Sequence, residues 1–158
     1  NANNRVVHFC RHWISFNKTF LVVHHMGTSF DPLGHIKISV SDYARKSKEF
    51  YQKLFGELGY TQVDDGDDGG GWKTPEGLGI WVSQADVAGP KYVHGAPGLH
   101  HLCLKAGSPE RVDEIHKILV ADDVYIFNAP QVYPQYTPDY YAVFFADPDG
   151  IKLEVAYY

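Results

Sequence analysis

The chain has 158 residues and a mass of 17.8 kDa, with 44% hydrophobic, 15% aromatic and 21% charged residues. That is the scale of one compact domain or of two small modules sharing a core, and the apolar fraction excludes a chain disordered by composition. A net charge of -5 with a pI near 5.9 argues against nucleic acid as a partner, since phosphate binding needs a basic face. The longest apolar run, 140–146, has seven residues, far below a membrane span. Cys10 and Cys103 stand outside any CxxC pattern, which supports neither a disulfide scaffold nor a cysteine-rich zinc site, so a reducing cytoplasm is the expected location.

Residues 1–25 hold His8, His12, His24 and His25, begin without Met, and follow a period of neither two nor 3.6. Met26 is the only methionine. The expectation is an N-terminal extension over 1–33, with the domain proper at 34–158. His8 and His12 have helical metal-pair spacing but no third ligand, and solvated histidines account for them better.

An internal repeat organises the rest. Residues 34–40 alternate as a strand, Ser41-Asp42 forms a helix cap, and Phe50, Tyr51, Leu54 and Phe55 mark the apolar face of a helix. Strands are predicted at 60–63, 71–74 and 77–82. The acidic, glycine-rich stretch 64–71 lacks EF-hand spacing and reads as a solvated turn between two of them. Residues 85–99, rich in Gly and Pro, are the linker between modules at about 34–84 and 100–158. The second module opens with a strand at 101–106 and a Ser108 cap with Pro109 at the first helical position. Its helix carries Val112, Ile115, Ile118 and Leu119, and strands follow at 124–129, 141–146 and 150–155. Phe50, Leu54 and Tyr60 find apolar partners 65 positions later in Ile115, Leu119 and Tyr125, so each half reads as β-α-β-β-β.

Side chains alternate between the faces of a strand. With Ile36, Ile38 and Val40 toward the helix, His35, Lys37 and Ser39 lie on the other face. The same parity puts His101, Cys103 and Lys105 opposite Leu102 and Leu104, and Lys152, Glu154 and Ala156 opposite Ile151, Leu153 and Val155. Trp81 falls on that face too. Two imidazoles and one carboxylate at equivalent ends of a repeat, His35, His101 and Glu154, point to a divalent metal site with open positions for water and substrate. His100 should point the other way.

The paired βαβββ halves, the strand at 35–40, Lys48-Glu49-Phe50-Tyr51, and above all Asp147-Pro148-Asp149-Gly150 followed by Ile151-Lys152-Leu153-Glu154-Val155 resemble the vicinal oxygen chelate superfamily of glyoxalase I, bleomycin-resistance proteins and extradiol dioxygenases. The resemblance implies an α+β fold of two tandem βαβββ modules in curved, cup-like mixed sheets with outer helices, and a homodimer. It implies metal ligation by His35, His101 and Glu154, with the ion Fe, Mn, Ni, Co or Zn. Trp81 stands where glyoxalase I has a fourth ligand, and an indole N–H is a donor only. The expected activity is metal-dependent chemistry on a small substrate that chelates through neighbouring oxygens. Glu154 is the catalytic carboxylate, and Trp81, Lys37, Lys105 and Tyr140 are the substrate-binding candidates. The rival is metal-free sequestration of a flat cationic ligand by Trp72, Trp81, Tyr133, Tyr136, Tyr140 and Tyr141, about half of which are expected to be ordinary packing.

Overall fold

The computed structural model describes residues 33–158; the expected extension, with His8, His12, His24, His25 and Cys10, lies outside the described residues except for Leu33. Alternation sets the first strand, β1 (His35–Val40): Ile38 and Val40 are buried, Ile36 is half-buried, and His35, Lys37 and Ser39 are exposed. The Asp42 carboxylate accepts from the Arg45 backbone N–H and starts a π-helical turn, Tyr43–Ser47, that runs into α1 (Lys48–Glu57). Three strands follow: β2 (Thr61–Asp65), β3 (Gly69–Lys73) and β4 (Gly79–Gln84). The second half repeats the order as β5 (Leu102–Lys105), α2 (Pro109–Ala121), β6 (Ile126–Val132), β7 (Tyr141–Ala146) and β8 (Lys152–Tyr157). Ser108 caps α2 by accepting from the Arg111 N–H, as its position before Pro109 predicts.

The two sheets have the same topology, β1-β4-β3-β2 and β5-β8-β7-β6, each with one parallel pair at the edge (β1/β4 and β5/β8) and antiparallel pairs elsewhere. This identity is the structural form of the repeat. One core joins both halves: Ile38, Val40, Ile80 and Val82 of the first sheet and Leu104, Val143, Phe145, Leu153 and Val155 of the second pack with the apolar faces of both helices. The other face of each sheet carries no helix, and the functional candidates lie there.

Glycines in β3 serve both faces. A Cβ on Gly70 would collide with Tyr43 and Trp72 on the helix side, and one on Gly71 would collide with the Trp81 indole on the helix-free side. Trp81 thus covers bare backbone across the strand pair Gly71/Trp81.

The Asp-Pro-Asp-Gly turn, the most specific part of the sequence resemblance, ties the halves together. Asp147 is buried; one of its carboxylate oxygens accepts from the Asp149 and Ile151 backbone N–H groups at 2.9 and 2.7 Å, and the other accepts from the Tyr51 hydroxyl of α1 at 2.7 Å. Asp149 accepts from the Ser41 backbone N–H at 2.6 Å and from the Ser41 hydroxyl. Gly150 closes the turn at φ 85°, a conformation that glycine adopts without a Cβ clash.

Candidate metal and substrate site

Glu154 is the only acidic residue in the four strands of the second sheet. β8 is an interior strand, and its register sets Glu154 between Cys103 of β5 and Phe144 of β7. The carboxylate is therefore 2% exposed. One oxygen accepts from the Tyr140 hydroxyl at 2.8 Å, and the other lies 2.9 Å from His101 Nε2. Among the described residues, no lysine or arginine pairs with it. A buried carboxylate beside an imidazole supplies two donors of the types that suit a divalent cation.

Around this pair the wall is aromatic. Tyr140 stacks on Tyr158 with ring centroids 4.9 Å apart, Tyr133 meets Phe144 edge-on at 5.3 Å, and His101 meets Phe144 at 5.9 Å. Lys105 Nζ lies 4.5 Å from the Tyr158 ring, and Lys152 Nζ lies 4.5 Å from Phe144 and 5.6 Å from Phe127. Cys103 Sγ is 3.8 Å from the Tyr140 hydroxyl. Burial first, then the Glu154 charge, pushes its thiol up to about 12, so Cys103 is a neutral side chain here, not a thiolate. Burial and the bond to Glu154 likewise push the Tyr140 phenol well above its ordinary range.

His101 continues outward: its Nδ1 is 2.7 Å from His100 Nδ1, and the His100 ring meets His94 at 4.8 Å. This corrects the expectation for His100. The predicted strand begins at 101, whereas β5 starts at Leu102; His100 and His101 precede it, strand parity does not apply to them, and both imidazoles meet. When His101 Nε2 bonds an acceptor or an ion, its Nδ1 needs a fixed partner, and His100 supplies one. His94 has its imidazole held below the ordinary range by desolvation first and then by Lys152, His100 and His101.

His35 and Lys37 are exposed on β1 of the first sheet, with Trp81 beside them on β4. Together with Ser83 and the hairpin residues Asp64, Asp67 and Asp68 they line a cleft of about 700 Å³. The fold thus brings His101, Glu154 and Tyr140 together, with Lys105 close by, and keeps His35, Lys37 and Trp81 as a separate group. Among the described residues, no three His, Cys, Asp or Glu side chains gather into a set that could hold a metal ion. Of the six aromatics named for a groove, Trp72 is buried against Phe55 and the Tyr141 hydroxyl bonds Asp113 of α2, both on the helix side. Tyr133, Tyr136 and Tyr140 form the wall, joined by Phe127, Phe144 and Tyr158, which the sequence reading passed over.

The family model described as the Glyoxalase/Bleomycin resistance protein/Dioxygenase superfamily matches residues 32–155. The Bacillus subtilis protein YqjT is 32% identical over 123 residues, covering 77% of this chain and 94% of the relative. A crystal structure from Bacillus halodurans, provisionally named a glyoxalase, superposes with a TM-score of 0.68 at 29% identity, covering 80% of this chain and 96% of that one. A lactoylglutathione lyase from Agrobacterium tumefaciens shares the fold, with a TM-score of 0.57 at 21% identity over 82% of this chain and 95% of that one.

Proposed function

The chain belongs to the Glyoxalase/Bleomycin resistance protein/Dioxygenase superfamily, and from that membership we propose a metal-dependent enzyme of the glyoxalase or dioxygenase type, acting on a small substrate that chelates a divalent ion through neighbouring oxygens. The observation that carries this reading is the buried Glu154 carboxylate set 2.9 Å from His101 Nε2, with no lysine or arginine paired to it among the described residues. These two residues would hold the ion, which supplies Lewis-acid polarisation of substrate oxygens. Tyr140 fixes one Glu154 oxygen and leaves the other toward His101. His100 holds the His101 ring. As the only carboxylate of its sheet, Glu154 is also the residue available to accept or return a proton. His35, exposed on the other sheet, would complete a three-ligand set from a second copy of the chain, which accords with the dimers common in this superfamily.

Within this reading Fe, Mn, Ni, Co and Zn are the candidate ions and the cytoplasm is the proposed location; among the described residues, no helix is long and apolar enough to cross a membrane. The test is turnover of a methylglyoxal–glutathione adduct, catechols and fosfomycin by protein loaded with each ion in turn. Metal-dependent turnover of one of them is the expected result; absence of metal uptake with every ion overturns the reading. One observation favours a second reading, metal-free binding of a flat cation: the Trp81 cleft is rimmed by Asp64, Asp67 and Asp68. Equal binding of such a ligand by chelator-treated and metal-loaded protein would support it.

A further inference from the structure

The charges on the helix-free side are unevenly shared. Acidic residues of the first module concentrate on the β2–β3 hairpin, whereas the second sheet presents two lysines and the single buried Glu154. Lys48 and Lys53 find carboxylates at 2.7 and 2.5 Å. Lys152 and Lys105 do not: among the described residues, neither ammonium makes an ion pair or donates a hydrogen bond to a protein acceptor. Each rests on aromatic faces instead.

Lys152 is the more constrained of the two. It is half-buried, walled by Phe144 and Phe127, two residues from Glu154 on the same face of β8, and His94 packs against Phe127 with ring centroids 6.0 Å apart. An ammonium on a ring face keeps its N–H donors free to point at a ligand, and a partly desolvated cation without an ion-pair contact among the described residues attracts an anion. Lys105 stands at the other end of the same floor, beside Ala156 in register, four residues along β8 from Lys152 and so roughly 13 Å away. Between them lie Cys103, Glu154, Phe144, the Tyr140 wall and the His101 imidazole.

We propose that Lys152 is the anion anchor of this site, so that the ligand is an acid: a flat molecule whose carboxylate or similar group docks on Lys152 while its body lies against Phe144 and reaches the His101–Glu154 pair. This rests on the reading of that pair as the reaction centre, and it deepens that reading by naming the charge of the substrate.

A charge series on one vicinal-dioxygen ring tests it: 3,4-dihydroxybenzoate (anionic), catechol (neutral) and dopamine (cationic). Dissociation constants are measured by calorimetry with chelator-treated and Mn²⁺-loaded protein. The anionic probe should bind about tenfold more tightly than catechol, and dopamine most weakly. Lys152→Ala should bring the anion-to-neutral ratio near one, Lys152→Arg should restore it, and added salt should narrow it. Dopamine binding tightest, equal or absent binding of the three, or a ratio unchanged in Lys152→Ala would overturn the proposal. The two readings separate in the metal arm. A Lys152-dependent preference with no metal effect keeps the anion anchor and removes the metal reading; metal-dependent binding without charge preference does the reverse.

Discussion

Removing one hydroxyl isolates what holds Glu154 in place. Tyr140→Phe keeps the ring, and with it the stack on Tyr158 at 4.9 Å and the edge contact with Tyr136 at 5.1 Å, so the loss is confined to the 2.8 Å bond to Glu154 and the weak contact with Cys103. With a charged, 2%-exposed acceptor, the bond belongs to the stronger class, and its deletion should destabilise the protein by about 1.5–3 kcal/mol, against about 1 kcal/mol for a neutral pair. Repeating the change in a Glu154→Gln background leaves a neutral acceptor, so the cost there should fall to about 1 kcal/mol, giving a coupling of about 1 kcal/mol or more. Urea unfolding of the four proteins with chelator present, at unchanged m, measures it. Equal costs in the two backgrounds, or a Tyr140→Phe cost under about 0.5 kcal/mol, would refute the idea that Glu154 is a carboxylate anchored by this hydroxyl.

Two further outcomes follow from the fold. Burial lifts the Asp147 carboxyl above its ordinary 3.8, with the bonds from Tyr51, Ile151 and Asp149 only partly opposing the shift. A carboxyl raised in the folded state favours folding most when protonated, so its contribution is full below 3.8 and fades as pH rises through the elevated value. The native protein should therefore gain stability relative to Asp147→Asn as pH falls from neutral toward 4, a difference seen in unfolding curves at a series of pH values; parallel profiles would contradict it. Gly71→Ala should destabilise by about 1–3 kcal/mol because its methyl meets the Trp81 indole. The same substitution in a Trp81→Ala background should be neutral or mildly stabilising, and a cost that persists there would place the strain elsewhere.

Much of this architecture is legible in the sequence. The 65-residue register of Phe50 with Ile115 and Leu54 with Leu119 encodes two equivalent helices, and alternation in β1 and β8 assigns His35 and Glu154 to helix-free faces. Parity works within a strand; it does not say which sheet faces lie together, which is why His35 and Glu154, alike in parity, occur in separate groups. It also fails where the strand has not begun, as at His100. The burial of Glu154 follows from the interior position of β8 between β5 and β7, a pairing that alternation within one strand does not reveal. The Asp-Pro-Asp-Gly segment carries the resemblance, and beyond the turn itself its carboxylates accept from Tyr51 and Ser41, fixing one module to the other.

The direct test is metal stoichiometry. The protein is purified without a nickel column, dialysed against Mn²⁺ or Fe²⁺ and analysed for bound metal beside His101→Ala, Glu154→Gln and His35→Ala, with the oligomeric state of each recorded. One ion per chain is expected in the unaltered protein, with loss of it in His101→Ala and Glu154→Gln, and loss in His35→Ala while the dimer persists. A folded protein that takes up no ion, or one whose metal content is indifferent to Glu154, would contradict it.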